Sequence, residues 1–128
     1  MIQVICPVCG AALELQGAAW RCAQGHCFDV ARQGYVNLLT VTQKHSRHPG
    51  DTREMVAARR AFLDAGWYAP IAKTLADLVR RFCPETASVL DAGCGEGYYL
   101  AQLLSRHPAW QGAGVDISKE AIEKYLDI

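Results

Sequence analysis

The chain has 128 residues, half of them apolar and a fifth charged, with a formal net charge of zero. That length holds one domain or two small ones, and that composition excludes a disordered chain. No run of eighteen apolar residues occurs, and the N-terminus lacks a basic region followed by an apolar core and a small-residue cleavage site. The expected location is therefore the cytoplasm, with no membrane partner.

The neutral total hides an asymmetry: residues 1–31 sum to about −1, residues 32–60 to about +4 and residues 61–128 to about −3. The cysteines are uneven too. Of six, four crowd into residues 6 to 27 with a histidine among them. In a reducing compartment such a cluster signals metal ligation rather than bridges.

Residues 1–31 contain Cys6-Pro7-Val8-Cys9 and, after twelve intervening residues, Cys22-Ala23-Gln24-Gly25-His26-Cys27. A C-x2-C knuckle puts two thiolates on one side of a tight turn, where one tetrahedral ion holds both. Between the clusters the spacing predicts a hairpin, Ala11 to Arg21, turning at Gln16-Gly17. About thirty residues bury too little core to fold unaided, so a structural zinc would contribute much of their stability. A redox C-x-x-C pair needs a strand-to-helix context that this segment lacks. Cys27 competes with His26 for the fourth position, and the reading places His26 there, with Cys6, Cys9 and Cys22.

Residues 28–39 carry strand-like apolar residues on both sides of a turn at Gly34. Residues 40–50 are polar and basic, with Lys44, His45, Arg47 and His48 bracketed by Pro49-Gly50. They read as an exposed loop. Such a loop is ordinarily just solvated, but beside a zinc ribbon a phosphate-contacting role stands equally open.

Residues 51–83 read as two helices. Asp51 with Glu54 suggests a capping box, Arg59 and Arg60 fall on the predicted exposed face, and Gly66 ends the first helix. The second begins at Pro70. Its apolar positions Ile71, Leu75, Leu78, Val79 and Phe82 predict an amphipathic helix covering a sheet. Trp67 and Tyr68, at the junction, belong either to the core or to a ligand pocket.

The most informative stretch follows. Ser88 to Ala92 is a short buried strand, Gly93-Cys94-Gly95-Glu96-Gly97 a glycine turn, and Leu100, Leu103 and Leu104 mark a helix. Gly112 to Ile117 predicts a second strand carrying Asp116, and Ser118 is a natural N-cap for a last helix with Ile122, Tyr125 and Leu126. A glycine turn lets backbone approach a ligand, the helix N-terminus is electropositive, and an acid at the next strand tip suits a ribose diol. This is a nucleoside-binding βαβ unit. A dinucleotide fingerprint would need a third glycine at position 98, which is Tyr98; the glycine is at 97. Asp91-x-Gly93-x-Gly95-x-Gly97 instead resembles motif I of the class I S-adenosylmethionine (SAM) methyltransferases.

Taken together, Cys6-Pro7-Val8-Cys9, Cys22 with His26, Phe28-Asp29-Val30-Ala31, Gly34-Tyr35-Val36-Asn37-Leu38-Leu39, Pro49-Gly50-Asp51, the run Ala58 to Gly66 and the run Asp91 to Tyr99 resemble the bacterial 23S rRNA (guanine-N1) methyltransferases. The resemblance runs nearly end to end. It implies a zinc ribbon that helps recognise an rRNA hairpin and a Rossmann-like domain that transfers methyl from SAM to N1 of a guanine. It carries zinc ligation onto Cys6, Cys9, Cys22 and His26, and SAM contacts onto Tyr68, Gly95 and Glu96, with Asp91, Gly93 and Gly97 in the same loop. Asp116 as ribose ligand comes from the wider class.

The expected fold is thus α/β: a zinc-ribbon module over residues 1–39, a basic loop and helical linker over 40–84, and over 85–128 the first βαβ part of a Rossmann-like domain. Members of the resembled family continue for roughly as many residues again, so the chain is expected to be truncated and inactive by itself. A catalytic residue is not assigned, because the acceptor pocket falls in the absent part; Cys94 reads as a small buried residue rather than a nucleophile. Lys44, Arg47, Arg59 and Arg60 are expected to contact rRNA phosphates. Two copies could pair through open sheet edges. The alternative function is a non-catalytic zinc-ribbon RNA-binding protein.

Overall fold

The computed structural model describes residues 2–125 and divides them into two compact units, residues 3–49 and residues 50–125 together with Ile2. The basic stretch 40–49 falls in the first of these units and both helices of 51–83 in the second.

In the first unit β1 (Glu14–Gln16), β2 (Ala19–Arg21) and β3 (Cys27–Asp29) form an antiparallel sheet in the order β1-β2-β3. Leu15 faces Trp20, and Trp20 faces Phe28 across the ladder. The strands are three residues each, and the buried cluster is Cys6, Leu13 and Cys22, with Val4, Ala11, Trp20, Phe28 and Leu38 packed around it. Two of those three buried side chains are cysteines, so the ribbon lacks the apolar volume to hold itself together. Val30 and Val36 bridge across the Gly34 turn, and residues 41–48 are exposed.

The second unit starts with α1 (Arg53–Asp64). The predicted capping box gives way to a simpler cap, in which the Thr52 hydroxyl accepts the Met55 N–H at 3.2 Å. Asp51 is drawn off into an ion pair with Arg59. Gly66, at φ +87°, ends the helix as the sequence suggests, its N–H donating to Leu63 C=O at 3.0 Å.

Helix α2 (Ala69–Phe82) corrects a second expectation. Its buried side chains are Ala72 and Ala76, whereas Ile71, Leu75, Leu78 and Phe82 are exposed. Ala76 packs with Leu103 of α3 (Tyr98–Arg106), and Ala72, one turn earlier, is buried as well. Ala76, Leu103 and Trp110 form the buried centre of this layer, joined by Val79, Cys83, Val89 and Leu104. Trp110 is anchored by its indole N–H, which donates to Glu85 C=O at 2.9 Å, and its ring stacks on His107 at 4.3 Å.

β4 (Ser88–Ala92) and β5 (Gln111–Val115) pair in parallel, Asp91 opposite Gly114, with α3 as the crossover. The second strand ends two residues earlier than predicted. The Gly93 and Cys94 N–H groups both donate to Val115 C=O, at 2.8 and 3.0 Å, so the turn folds over the strand end and leaves Asp116 beyond it. At Gly112 a Cβ would stand 2.8 Å from Leu104 Cδ1, which explains a glycine where α3 crosses the sheet. On the other face Leu90, Val115 and Ile117 are exposed.

α4 (Lys119–Tyr125) is capped by Ser118, whose hydroxyl accepts the Ala121 N–H at 3.2 Å. Leu126, expected on this helix, lies outside the described residues. Among the described residues no helix is long and apolar enough to cross a membrane.

Candidate functional site

Two sites emerge, one in each unit. In the ribbon, Cys6 N–H donates to Ala11 C=O and Gly10 N–H to Cys6 C=O, closing the first knuckle. Cys22 N–H donates to His26 C=O and Gly25 N–H to Cys22 C=O, closing the second in the same way. The two turns bring Cys6, Cys9, Cys22 and His26 together, with one donor atom from each and all four atoms within 4.8 Å of one another.

The spacings match a single ion. The Cys9 and Cys22 sulfurs are 3.8 Å apart, and His26 Nδ1 is 3.3 Å from the Cys22 sulfur and 3.6 Å from that of Cys6. Tetrahedral zinc with Zn–S bonds of about 2.3 Å puts two sulfurs about 3.8 Å apart. Cys27 is exposed, with its sulfur 3.9 Å from Asp29 Oδ1, and is not part of the group. The geometry therefore selects His26.

The second site is a cavity of about 320 Å³ at the C-terminal ends of β4 and β5. Its floor is the glycine turn, with Gly93, Gly95 and Gly97 all at positive φ, a conformation a side chain resists. Asp116 holds the turn in place. Its carboxylate accepts the Gly95 N–H at 2.9 Å on one oxygen and the Ser118 N–H at 2.8 Å on the other. Asp91 lies beside it on the neighbouring strand, and burial together with the Asp116 charge pushes its carboxyl above the usual range.

Cys94 lies beneath the turn, buried, with its thiol donating to Gly95 C=O at 3.4 Å. Burial, reinforced by the charges of Asp91 and Asp116, pushes that thiol up to about 11. A thiol in that state is not a nucleophile at neutral pH.

Helix α1 supplies a wall that sequence patterning did not assign. Arg59 and Leu63, one turn apart, line the cavity with Asp51. Arg59 and Arg60 are thus not simply an exposed basic face: Arg59 pairs with Asp51, and Arg60 Nε lies 3.7 Å from Asp64 and 3.6 Å from Glu96. The Asp51 segment is tied to the start of α4, since the Ser118 hydroxyl donates to Asp51 C=O at 2.8 Å. Gly50, at φ +83°, comes so close that a Cβ there would stand 2.8 Å from Ser118 N. The only trace of this wall in the sequence is the helical spacing of Arg59 and Leu63.

Glu96 lines the same cavity and is 6 % exposed, and neither carboxylate oxygen has a hydrogen-bond partner. Burial pushes its carboxyl up, against the opposing pull of Arg60. Tyr98 and Tyr99 complete the lining, their rings edge to face at 5.1 Å. Tyr68 is outside the lining, with its ring edge to face on Phe62 at 4.9 Å.

Residues 58–126 match the profile of a methyltransferase domain. The chain belongs to that methyltransferase family. Residues 4–47 match the profile described as RlmA, N-terminal, a zinc ribbon. The chain is 44% identical over 121 residues to a protein of Streptomyces fradiae named 23S rRNA (guanine(748)-N(1))-methyltransferase, covering 93% of this chain and 42% of that one. Proteins of Micromonospora griseorubida and Bacillus subtilis whose names assign them 23S rRNA (guanine-N1) methylation are 42% and 34% identical, each over 93% of this chain and 45% and 44% of theirs. The chain thus spans less than half the length of these curated relatives.

A methyltransferase domain implies SAM, and a ribbon of this type implies structural zinc. The residues fit both. The Cys3His donor set has the dimensions of a zinc site, and the cavity pairs a backbone cradle with an acid at the strand tip and a buried carboxylate lacking hydrogen bonds.

Proposed function

We propose that this chain carries the zinc ribbon and the cofactor-binding start of an enzyme that methylates N1 of a guanine in a 23S rRNA hairpin. The observation behind the reading is the presence in one chain of a four-ligand Cys3His ribbon and a glycine-turn cavity closed by Asp116. The relatives' names supply the nucleic acid and the ring nitrogen.

When bound, SAM supplies a methyl group on a sulfonium, and most of the acceleration then comes from placing the acceptor in line with it. The chain's own residues do the holding. Gly93, Gly95 and Gly97 expose backbone to the ligand. Asp116, with one hydrogen bond from the protein on each oxygen, keeps further lone pairs for the ribose hydroxyls. Asp91 lies next to it in the cavity wall, and Tyr68, carried over from the resemblance as a SAM contact, packs on Phe62 outside that wall. Cys94, protonated beneath the turn, packs and does not react.

On the RNA side, Lys44 and Arg47 are exposed in the ribbon unit and are suited to phosphate contacts. Arg59 and Arg60 are engaged with acids of their own unit, Arg59 in the cavity wall and Arg60 behind it against Glu96, and are assigned to those pairs ahead of RNA. The open edges of the β4–β5 sheet among the described residues support pairing of two copies, which sedimentation velocity reads.

The function is tested by equilibrium dialysis of labelled SAM together with binding of a 23S rRNA hairpin, compared with a scrambled RNA. Saturable SAM binding with zinc-dependent preference for the hairpin supports the reading. Hairpin binding without any SAM affinity would mean a ribbon that only binds RNA, and the absence of both would overturn the proposal outright.

A further inference from the structure

Each oxygen of Asp116 is fixed by a backbone N–H, one from Gly95 at 2.9 Å and the other from Ser118 at 2.8 Å. The first donor belongs to the glycine turn in the cavity floor. The second belongs to the corner between β5 and α4, and Ser118 is not among the residues that line the cavity. What holds that corner therefore bears on where Asp116 points.

Ser118 is 1% exposed, and its hydroxyl works in two directions. It accepts the Ala121 N–H at 3.2 Å, which caps α4, and it donates to Asp51 C=O at 2.8 Å, 67 positions away along the chain. Capping a helix needs only the first of these bonds. The second ties the corner to the segment ahead of α1, and the Asp51 side chain on that segment pairs with Arg59 in the cavity wall.

Gly50 presses on the same point. A Cβ there would stand 2.8 Å from Ser118 N, 2.9 Å from Ser118 Cα and 2.9 Å from Ile117 Cγ2. Two of those atoms are backbone and cannot swing aside, and φ of +83° already disfavours a side chain. The nitrogen that Gly50 lies against is the one whose proton Asp116 accepts.

We infer that Gly50 and Ser118 are positioning residues for the ribose: their contact, closed by the Ser118–Asp51 hydrogen bond, fixes the corner that aims the Asp116 carboxylate into the cavity. A carboxylate favours a diol only while its remaining lone pairs point at the incoming hydroxyls, since a hydrogen bond weakens steeply as its angle closes. The inference rests on the cavity being the SAM site and adds what sets the aim of its ribose ligand.

Calorimetry on the full chain tests it with adenosine and with 2′,3′-dideoxyadenosine, which lacks the diol. The wild type should prefer adenosine by about tenfold or more, the size of a hydrogen bond to a charged group. Asp116→Asn should lose most of that preference. Ser118→Ala and Gly50→Ala should each reduce it to about threefold or less while binding dideoxyadenosine as the wild type does. Ser118→Gly removes the same hydroxyl with a residue tolerated at an N-cap, and should match Ser118→Ala with less disturbance of α4. The double variant should be no worse than Gly50→Ala alone, because both changes break one contact.

Equal weakening of both nucleosides in the variants would mean a merely structural role and overturn the inference. So would an intact preference in Ser118→Gly and Gly50→Ala, or additive losses in the double variant. A wild type that binds both nucleosides equally would overturn it without any variant. A wild type that binds neither would overturn the reading of the cavity as a nucleoside site, and the positioning role with it.

Discussion

At the scale of single residues, Cys94 shows how environment overrides chemical type. The same side chain that ligates metal in the ribbon is here an inert packing element, because burial and two nearby carboxylates disfavour its thiolate. The consequence for stability has a definite sign. The folded-state value of about 11 lies above the reference of 9.0, so its contribution is intact below pH 9 and is lost as pH rises toward about 11. The urea midpoint of the second unit should fall across that window, and Cys94→Ala should flatten the fall. A parallel decline in both proteins would show that other groups carry it.

Among the elements, α2 separates apolar composition from burial. Its large side chains Ile71, Leu75, Leu78 and Phe82 are exposed, and its buried positions are Ala72 and Ala76, the latter at the seam with Leu103 of α3. Enlarging the seam should therefore cost more than removing an exposed aromatic. Ala76→Leu is expected to destabilise by about 1–3 kcal/mol through overpacking. Phe82→Gln, at a site 85% exposed, should change stability by no more than about 0.5 kcal/mol. Chemical denaturation of both variants checks the order, and a reversed order would put Phe82 in the core. The same reasoning explains why α1 is capped by Thr52: Asp51 is worth more as the partner that orients Arg59 over the cavity.

For the whole molecule, two units with different sources of stability predict separable responses. The ribbon has three buried side chains at its centre, two of them metal ligands. Chelation should unfold residues 3–49 and release one zinc per chain, while the helical circular dichroism of the second unit persists; loss of both signals together would mean the ion supports the whole chain. Charge is divided in the same way. Replacing Lys44 and Arg47 with alanine should weaken hairpin binding and reduce its salt slope by about one for each phosphate no longer neutralised. An unchanged slope would leave them as solvated residues of an exposed loop.

Features that depend on local spacing are legible in the amino-acid sequence alone. The two knuckles, the glycine turn, the strand Ser88–Ala92 and the caps at Gly66 and Ser118 are set by residues a few positions apart, so their signals survive without the fold. His26 over Cys27 needed the strand, which carries Cys27 away from the other three ligands. The remainder required the assembled fold. The face of α2 that packs is set by how closely α3 approaches, which apolar periodicity does not encode. The cavity wall contributed by Asp51, Arg59 and Leu63 arises where Asp51 meets Ser118, 67 positions along the chain, and no local pattern links those two residues. The buried carboxylate of Glu96, without a hydrogen-bond partner, belongs to the same class, because burial is a property of the assembled layers rather than of the motif in which the glutamate is written.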